Sequence, residues 1–369
     1  MLIRKPSYYD GFACLAGACP DTCCAAWEAV VDEKSLARYQ ALPGTIGRTV
    51  RDALTVDGDG DACFRLAEGR CALLRGDGLC ALQAELGEEA LCQVCREHPR
   101  FIESFGAFRE ASLAASCPEA ARLTLAWDGR FTEAVTDEPE EDCEDVDGAL
   151  LAALLPCRER LFGLLRDRSH PVGARMAAAL GYAGALQERL DLGDVAGLSQ
   201  TAPPPAPPAG TAGERLETAR ALFRVLGTLE ILSPEWKALL DEAAGALADM
   251  SEDTYAVRRR DFVRARLGRE AEYENFAVYL LYRWFLKADF DGDVYGKVSF
   301  AALSLLALQE LGALTLAREG RFTQDGQLRL VGLWCKEQEH CDENLAALAQ
   351  AAYDEPLFGP ETLGRALNI

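Results

Sequence analysis

The chain has 369 residues, 49% of them hydrophobic, and a formal net charge of −21 from 38 Lys and Arg against 59 Asp and Glu. That length predicts about two domains, with enough apolar material for real cores. The acidic balance repels phosphate and argues against a nucleic-acid partner, while it attracts a basic protein surface or a lysine-bearing substrate within a Debye length.

The N-terminal run Met1-Leu-Ile-Arg-Lys-Pro-Ser-Tyr-Tyr-Asp10 has no apolar core and no small-residue cleavage site. No signal peptide is predicted, and the expected location is cytoplasmic. In that setting 14 cysteines point to metal rather than to disulfides. Ten of the 14 lie between Cys14 and Cys117, leaving Cys143, Cys157, Cys335 and Cys341 for the rest. Such crowding is not the distribution of thiols used merely as small buried apolar residues.

Taken in chain order, residues 1–130 combine cysteines, glycines and short, broken apolar runs, the texture of a small domain stapled by metal. Residues 131–147 include Glu133, Asp137, Glu138, Glu140, Glu141, Asp142, Glu144, Asp145 and Asp147 and read as a solvated acidic linker. From Gly148 the pattern turns helical: Leu150-Leu151, Leu154-Leu155, Leu161-Phe162 and Leu164-Leu165 recur at three-to-four spacing. Met176–Leu192 continues it. The proline-rich stretch 201–213 cannot be helix or central strand and is expected as an extended linker or long loop. Helices are predicted over Glu214–Leu226, Trp236–Met250, Asp253–Leu267, Tyr273–Ala288, Val298–Ala317 and Glu343–Tyr353. Val298–Ala317 is mostly apolar, but Gln309, Glu310 and Gly312 interrupt it, so a buried core helix is expected rather than a membrane span. Phe322–Leu333 is the one segment of this half that reads as a short hairpin. The fold class is therefore mainly α: a small cysteine-rich metal-binding domain at 1–130, an acidic linker at 131–147, and an all-helical domain at 148–369.

Nine of these ten cysteines, Cys63 apart, fall in four groups: Cys14, Cys19, Cys23 and Cys24; Cys71 and Cys80; Cys92 and Cys95; and Cys117. Gly17 and Pro20 make the first group a turn-rich loop, which lets thiolates converge where a helix would not. Soft thiolate arrays select zinc or iron–sulfur clusters over magnesium or calcium. The spacing fits neither a zinc finger nor a Cys-x3-Cys-x2-Cys triplet, because Ala26 stands where the third cysteine would. Cys92-x-x-Cys95 lacks the βαβ surroundings of a redox dithiol. Asp57-Gly-Asp59-Gly-Asp61 with Glu68 mimics a calcium loop, but Ala62 replaces the glycine its turn needs. Asp289-Phe-Asp291-Gly-Asp293 lacks the closing glutamate and reads as an interhelical turn. There is no dinucleotide fingerprint, P-loop or nucleophile elbow.

Several runs carry a resemblance. Cys14-x2-Gly17-x-Cys19-x-Asp21-x-Cys23-Cys24-x2-Trp27 resembles the opening of the flagellin lysine-N-methylase (FliB-like) family. Arg70-Cys71-x-Leu73, Gly78-Leu79-Cys80, Leu86-Gly87, Cys95 and Pro99-Arg100-Phe101 are similar to its second block, and Glu110-x2-Leu113-x2-Ser116-Cys117-Pro118-Glu119 to its third. Tyr273-Glu274-Asn275, Asp293-x-Tyr295-Gly296 and Glu339-His340-x2-Glu343-Asn344-Leu345 extend the likeness to about residue 350. His98 departs from the aromatic residue more usual before Pro-Arg, and Cys92 is extra.

The resemblance implies protein-lysine N-methylation on flagellin, with S-adenosylmethionine as donor and a [4Fe–4S] cluster as cofactor. It implies as metal-site residues Cys14, Cys19, Cys23, Cys24, Cys71, Cys80, Cys95 and Cys117, more thiols than one cluster needs. Transfer to an amine of pKa near about 10.4 requires desolvation or a base. The candidate catalytic residues are Glu339, His340, Glu343 and Tyr273, with Glu274 and Tyr295 behind them. Read plainly, the Glu339–Asn344 run is also a helix start with a polar face, and Tyr273–Trp284 is also a row of packed aromatics. No glycine-rich strand–loop–helix marks a donor pocket. Two other readings stay open: a non-enzymatic zinc- or iron-binding module, and an iron–sulfur redox protein.

Overall fold

The computed structural model describes residues 1–25, 27–58, 60–106, 108–136, 143 and 145–368. Part of the expected acidic linker (137–142 and 144), together with Asp59 of the calcium-like loop, lies outside them.

The fold is mainly α. Its helices start where the sequence supplies caps: Asp147 Oδ1 accepts from the amides of Ala149 and Leu150 at 2.9 and 3.1 Å, and Ser233 and Ser251 cap helices Pro234–Ala248 and Glu252–Ala265. Thr211 and Glu214 form a reciprocal capping box, Thr211 Oγ1 accepting from the Glu214 amide and Glu214 Oε2 from the Thr211 amide. Gly292 and Gly320 end two helices in the left-handed region at φ 70° and 71°. Helix Val294–Glu319 runs through the centre, packed by Val172–Asp191, Glu270–Trp284, Gln324–Trp334 and Asp342–Asp354. It is long and apolar enough to cross a membrane, yet 89% of its most apolar window is buried inside the protein. The polar interruption is used internally: Glu310 and Gln309 receive Arg215, and Tyr255 donates to Glu310 at 2.8 Å.

Residues 1–135 hold more β-structure than their composition predicts. A four-stranded sheet runs in the order Arg100–Phe105, Phe108–Leu113, Leu2–Pro6, Phe131–Val135. Leu2–Pro6 is parallel to Phe108–Leu113 and antiparallel to Phe131–Val135. This sheet lies on the helices: Arg158 of helix Gly148–Arg166 makes a bidentate pair with Glu110 at 2.5 Å on each arm, and Tyr282 donates to Arg4 O at 2.6 Å. The large core accordingly runs from Phe105 to Leu367 without a break at residue 130. A second, small core gathers Ala29, Val31, Tyr39, Val50, Ala53, Phe64, Leu73, Leu82, Leu91 and Cys92. The small core and the residues packed on it span 29–95.

Two expectations differ from the structure, and a third, the long proline-rich loop, holds with an addition. Phe322–Leu333 is no hairpin: Thr323 caps a helix, Gln324–Trp334, whose Leu330, Val331 and Trp334 enter the core. The linker's first residues, Phe131–Val135, are a sheet strand. The proline-rich stretch has no regular structure up to Thr211 but is packed down. Asn368 Nδ2 donates to Pro207 O at 2.9 Å and the Gly210 amide to Arg365 O at 3.1 Å. A Cβ on Gly364 would lie 2.8 Å from Pro207 Cγ.

Candidate functional site: a thiol-rich lobe against an acidic cavity

The cysteine loops are brought together by backbone contacts. The turn Ala16–Ala18 presses on the hairpin at Asp77–Gly78: a Cβ on Gly17 would sit 3.0 Å from Asp77 O, and one on Gly78 would sit 3.4 Å from the Gly17 backbone. Gly78 also has φ 78°, which suits glycine. The Cys71 amide donates to Cys24 O at 2.8 Å. Cys80, Cys92 and Cys117 each stand at the residue preceding a helix, and Cys95 lies in the first turn of one of them.

All these thiols are free. Cys23 and Cys24 are hydrogen-bonded neighbours, and so are Cys92 and Cys95. In each pair one sulfur holds the proton for the other. The bond from Cys23, helped by Thr22 and Arg70 against burial, brings the Cys24 thiol down to about 6. The bond from Cys95 brings Cys92 to about 7. The donors Cys23 and Cys95 are correspondingly pushed up. Burial raises Cys19, Cys80 and Cys117, and takes Cys71 to about 11. Thiolates ready at neutral pH beside thiols that release a proton on ligation are the donor chemistry of a soft-metal site. Cys92, read from sequence as extra, is the most deeply seated of them, with no exposed surface.

Beside this lobe lies a cavity of about 660 Å³ lined by Phe101, Arg283, Trp284, Glu339 and His340, with Glu103, Glu230, Asp342 and Glu343 among its acidic residues. One wall is a π-helical turn, Cys335–Glu339, an irregularity frequent at functional sites. It buries the Glu339 carboxylate, which accepts from Tyr279 Oη at 3.0 Å and Trp284 Nε1 at 3.0 Å and faces Arg283 Nε at 3.5 Å. Tyr279 Oη in turn accepts from the Ala115 amide at 3.0 Å. The next residue, Ser116, has its Oγ 2.8 Å from His340 Nε2, and the residue after that is Cys117. His340 stacks on Phe101 with ring centroids 5.9 Å apart. Burial lowers the His340 pKa below its usual value, with Arg283 and Lys336 adding to the effect and Glu339 opposing it. Lys336 of the same π-turn pairs with Asp21 of the first cysteine loop at 2.7 Å. Cavity and thiols therefore meet through two links, Cys117–Ser116–His340 and Asp21–Lys336.

Of the four expected catalytic residues, Glu339, His340 and Glu343 line this cavity. Cys341 Sγ lies 3.6 Å from Glu343 Oε2 and 3.7 Å from Glu230 Oε2 at its edge. Tyr273 does not reach it. That ring is buried under Arg266, its hydroxyl donating to Gln327 at 2.9 Å. Glu274 is tied to Arg168 and Arg175, and Tyr295 donates to Phe358 O, so both are structural here. Sequence reading missed Tyr279, Arg283, Trp284 and Ser116. The signal was there: Tyr279 and Arg283 are four apart on one helix and share a face.

Residues 206–363 match the FliB lysine N-methylase C-terminal domain, which takes in Glu230, Tyr279, Arg283, Trp284, Glu339 and His340. Over those residues the chain is similar to FliB lysine N-methylases. Relatives include proteins named lysine-N-methylase from Salmonella typhimurium and Salmonella choleraesuis, each 30% identical over 123 residues, 32% of this chain and 31% of the relative. A third, named flagellar biosynthetic protein FliU, from Salmonella muenchen, is 29% identical over 123 residues, 32% of this chain and 73% of its own length. The aligned part thus spans about a third of the two lysine-N-methylases. No solved structure matches the chain. The cysteine lobe precedes the matched C-terminal region, and the chain joins the two through the contacts at Ser116 and Asp21.

Proposed function

We propose that this FliB-like chain is a protein-lysine N-methyltransferase that uses S-adenosylmethionine, holds a [4Fe–4S] cluster on its N-terminal thiols, and acts on lysines of flagellin. The printed names of the relatives support lysine methylation and a flagellar setting. The observation that carries the reading is the junction at Ser116, where the residue next to the Cys117 thiol touches His340 in the wall of an acidic cavity. A purely structural metal module has no need of a buried carboxylate and a neutral imidazole facing a cavity beside its thiols.

The cavity residues divide the work. Glu103, Glu230, Asp342 and Glu343 draw a lysine ammonium inward. Inside, a low-dielectric wall of Trp284 and Phe101 disfavours the charged amine and lowers its pKa. With Nε2–H donating to Ser116 Oγ, the Nδ1 lone pair of His340 takes the amine proton. Its lowered pKa keeps it neutral, and so able to accept, at pH 7. Glu339 holds Tyr279, Trp284 and Arg283 in place around that spot. The free thiols fit a soft iron centre in number and type. When bound, S-adenosylmethionine supplies the methyl group and the cluster a soft, redox-active centre.

The test uses the full chain, purified anaerobically and loaded with iron and sulfide, with methyl-labelled S-adenosylmethionine and unmethylated flagellin. Label on flagellin lysines is the expected result, with kcat lowered about 10²-fold or more in His340→Gln. No label from fully loaded protein overturns the activity, and equal rates for wild type and His340→Gln overturn the role of the imidazole.

A further inference from the structure

The acidic cavity has one feature that a lysine ammonium does not use. Arg283 is among its lining residues, and its side chain is only 7% exposed. The guanidinium lies over the Phe101 ring at 4.2 Å, with the Trp284 and Tyr279 rings at 5.5 and 5.9 Å. Its Nε faces Glu339 at 3.5 Å, and the Tyr279 side chain bonds to the group as well. Nη1 is nevertheless buried without a hydrogen-bond partner among the described residues. A buried donor left unpaired is costly, and the guanidinium fork matches a carboxylate.

The charges around Arg283 narrow the choice of ligand. Lys287, also in the lining, is paired with Glu103 at 2.7 Å. Glu230, Asp342 and Glu343 make the rest of the rim acidic. Such a wall repels a simple anion, and a simple amine leaves Nη1 unmet. A zwitterion with an excess of positive charge answers both. S-adenosylmethionine is of that kind, with one carboxylate, one ammonium and one sulfonium, and the two cations suit the carboxylates and the Trp284 ring.

The adjoining space suits the rest of that molecule. A second cavity of about 950 Å³ shares Trp284, Lys287 and Asp342 with the first. Its lining is more apolar and includes Phe290, Phe300, Leu345, Ala346 and Ala349. Volumes of about 660 and about 950 Å³ both lie within the range of about 300–1,000 Å³ usual for small-ligand sites.

We propose that the amino-acid end of the methyl donor lies in the acidic cavity with its carboxylate on Arg283, and that its nucleoside lies in the adjoining cavity beyond Trp284. Arg283 is then the residue that selects a donor bearing a carboxylate. The target lysine keeps Glu230 and Glu343, which line the first cavity alone. This inference rests on the methyl-transfer reading above and adds to it the place where the donor binds.

The experiment is isothermal titration calorimetry on the full chain, purified anaerobically and loaded with iron and sulfide. Flagellin is left out, so binding is read apart from turnover. The probes are S-adenosylmethionine and decarboxylated S-adenosylmethionine, which lacks only the carboxylate. The wild type is expected to bind the decarboxylated probe about tenfold to a hundredfold more weakly. Arg283→Lys keeps a charge opposite Glu339. It is expected to lose a similar factor for S-adenosylmethionine and little for the decarboxylated probe. Ala346→Trp, at an exposed position of the second cavity's lining, is expected to weaken both probes about tenfold or more. Equal affinity of the wild type for the two probes overturns the carboxylate site, whether or not the Lys variant folds. A Lys variant that weakens both probes alike overturns the role of Arg283. Unchanged affinities in Ala346→Trp overturn the placement of the nucleoside. Each of these three results leaves the methyl-transfer reading standing, whereas a loaded wild type that binds neither probe overturns that reading and this inference together.

Discussion

Replacing Glu339 by Ala removes the one carboxylate on which the cavity's inner wall is organised, and the structure sets the size of the effect. Two donors lose their acceptor, Tyr279 Oη and Trp284 Nε1, each bonded at 3.0 Å. An unpaired buried donor costs about 1–3 kcal/mol. Arg283, whose side chain is only 7% exposed, loses its counter-charge at 3.5 Å. Breaking one side of a buried pair costs about 3–5 kcal/mol. These losses overlap, since the same carboxylate meets all three groups, so the expected total is about 4 kcal/mol rather than the sum. Glu339→Gln keeps an amide oxygen in reach of the two donors and surrenders only the charge, so it is expected to lose about half as much. The measurement is urea unfolding of wild type and both variants at equal metal content, with stability taken from midpoint and slope. An Ala variant within about 1 kcal/mol of wild type refutes the reasoning, because it means the three groups find other partners or water.

Other outcomes follow from the same geometry. Glu110→Ala strands Arg158, which has no exposed side-chain surface, between the sheet and helix Gly148–Arg166; a loss of about 3–5 kcal/mol is expected in the same urea assay. Gly173→Ala places a Cβ 2.0 Å from Leu367 O, so the C-terminal helix Pro360–Leu367 must shift; the expected cost is about 1–3 kcal/mol or more, with faster hydrogen exchange in that helix. His98 is lowered to about 4, chiefly by burial, and His340 is also lowered. The unfolded chain therefore binds more protons below pH 6.5, and the contribution of these imidazoles to stability falls as pH drops from about 6.5 towards 4. Unfolding midpoints at pH 5 and 7 for wild type and His98→Asn/His340→Asn check this, the double variant having the smaller drop.

The helical half was legible because its spacing is its physics. Leucines at three-to-four intervals and caps at Asp147, Thr211, Ser233 and Ser251 mark real starts. The misread hairpin at Phe322–Leu333 shows the limit. Asp325-Gly326 looks like a turn, but Thr323 Oγ1 accepts from the Gly326 amide at 3.1 Å and makes the pair a helical first turn. The sheet was not legible for another reason. Leu2–Pro6 carries Arg4 and Lys5 and pairs with strands more than a hundred residues away, and no local pattern records a long-range partner. Once Arg4 lies over Phe131 at 4.4 Å, its charge is part of the packing.

For the site, residue type was readable and grouping was not. The run Glu339-His340 stood out by chemistry, whereas Tyr279, Arg283 and Trp284 were hidden among aromatics that do pack, as Phe276 against Tyr279 does. What separates them is the carboxylate they share, and that arrives from a π-turn some 55–60 positions downstream. The cysteines make the same point more sharply. By spacing, Cys23 and Cys24 belong together and Cys117 stands alone. In space Cys117 packs on the cluster of Phe12, Leu113 and Ala120, and the Cys24 backbone is bonded to Cys71. Chain order follows the turns that deliver each thiol, while their grouping in space follows the small core and the helix Pro118–Leu125 against which the thiols pack. That helix is one mechanical link between the chain's two halves. It sets Cys117 in the thiol lobe and, two residues before its first turn, sets Ser116 on His340, so displacing it must disturb the thiols and the cavity together.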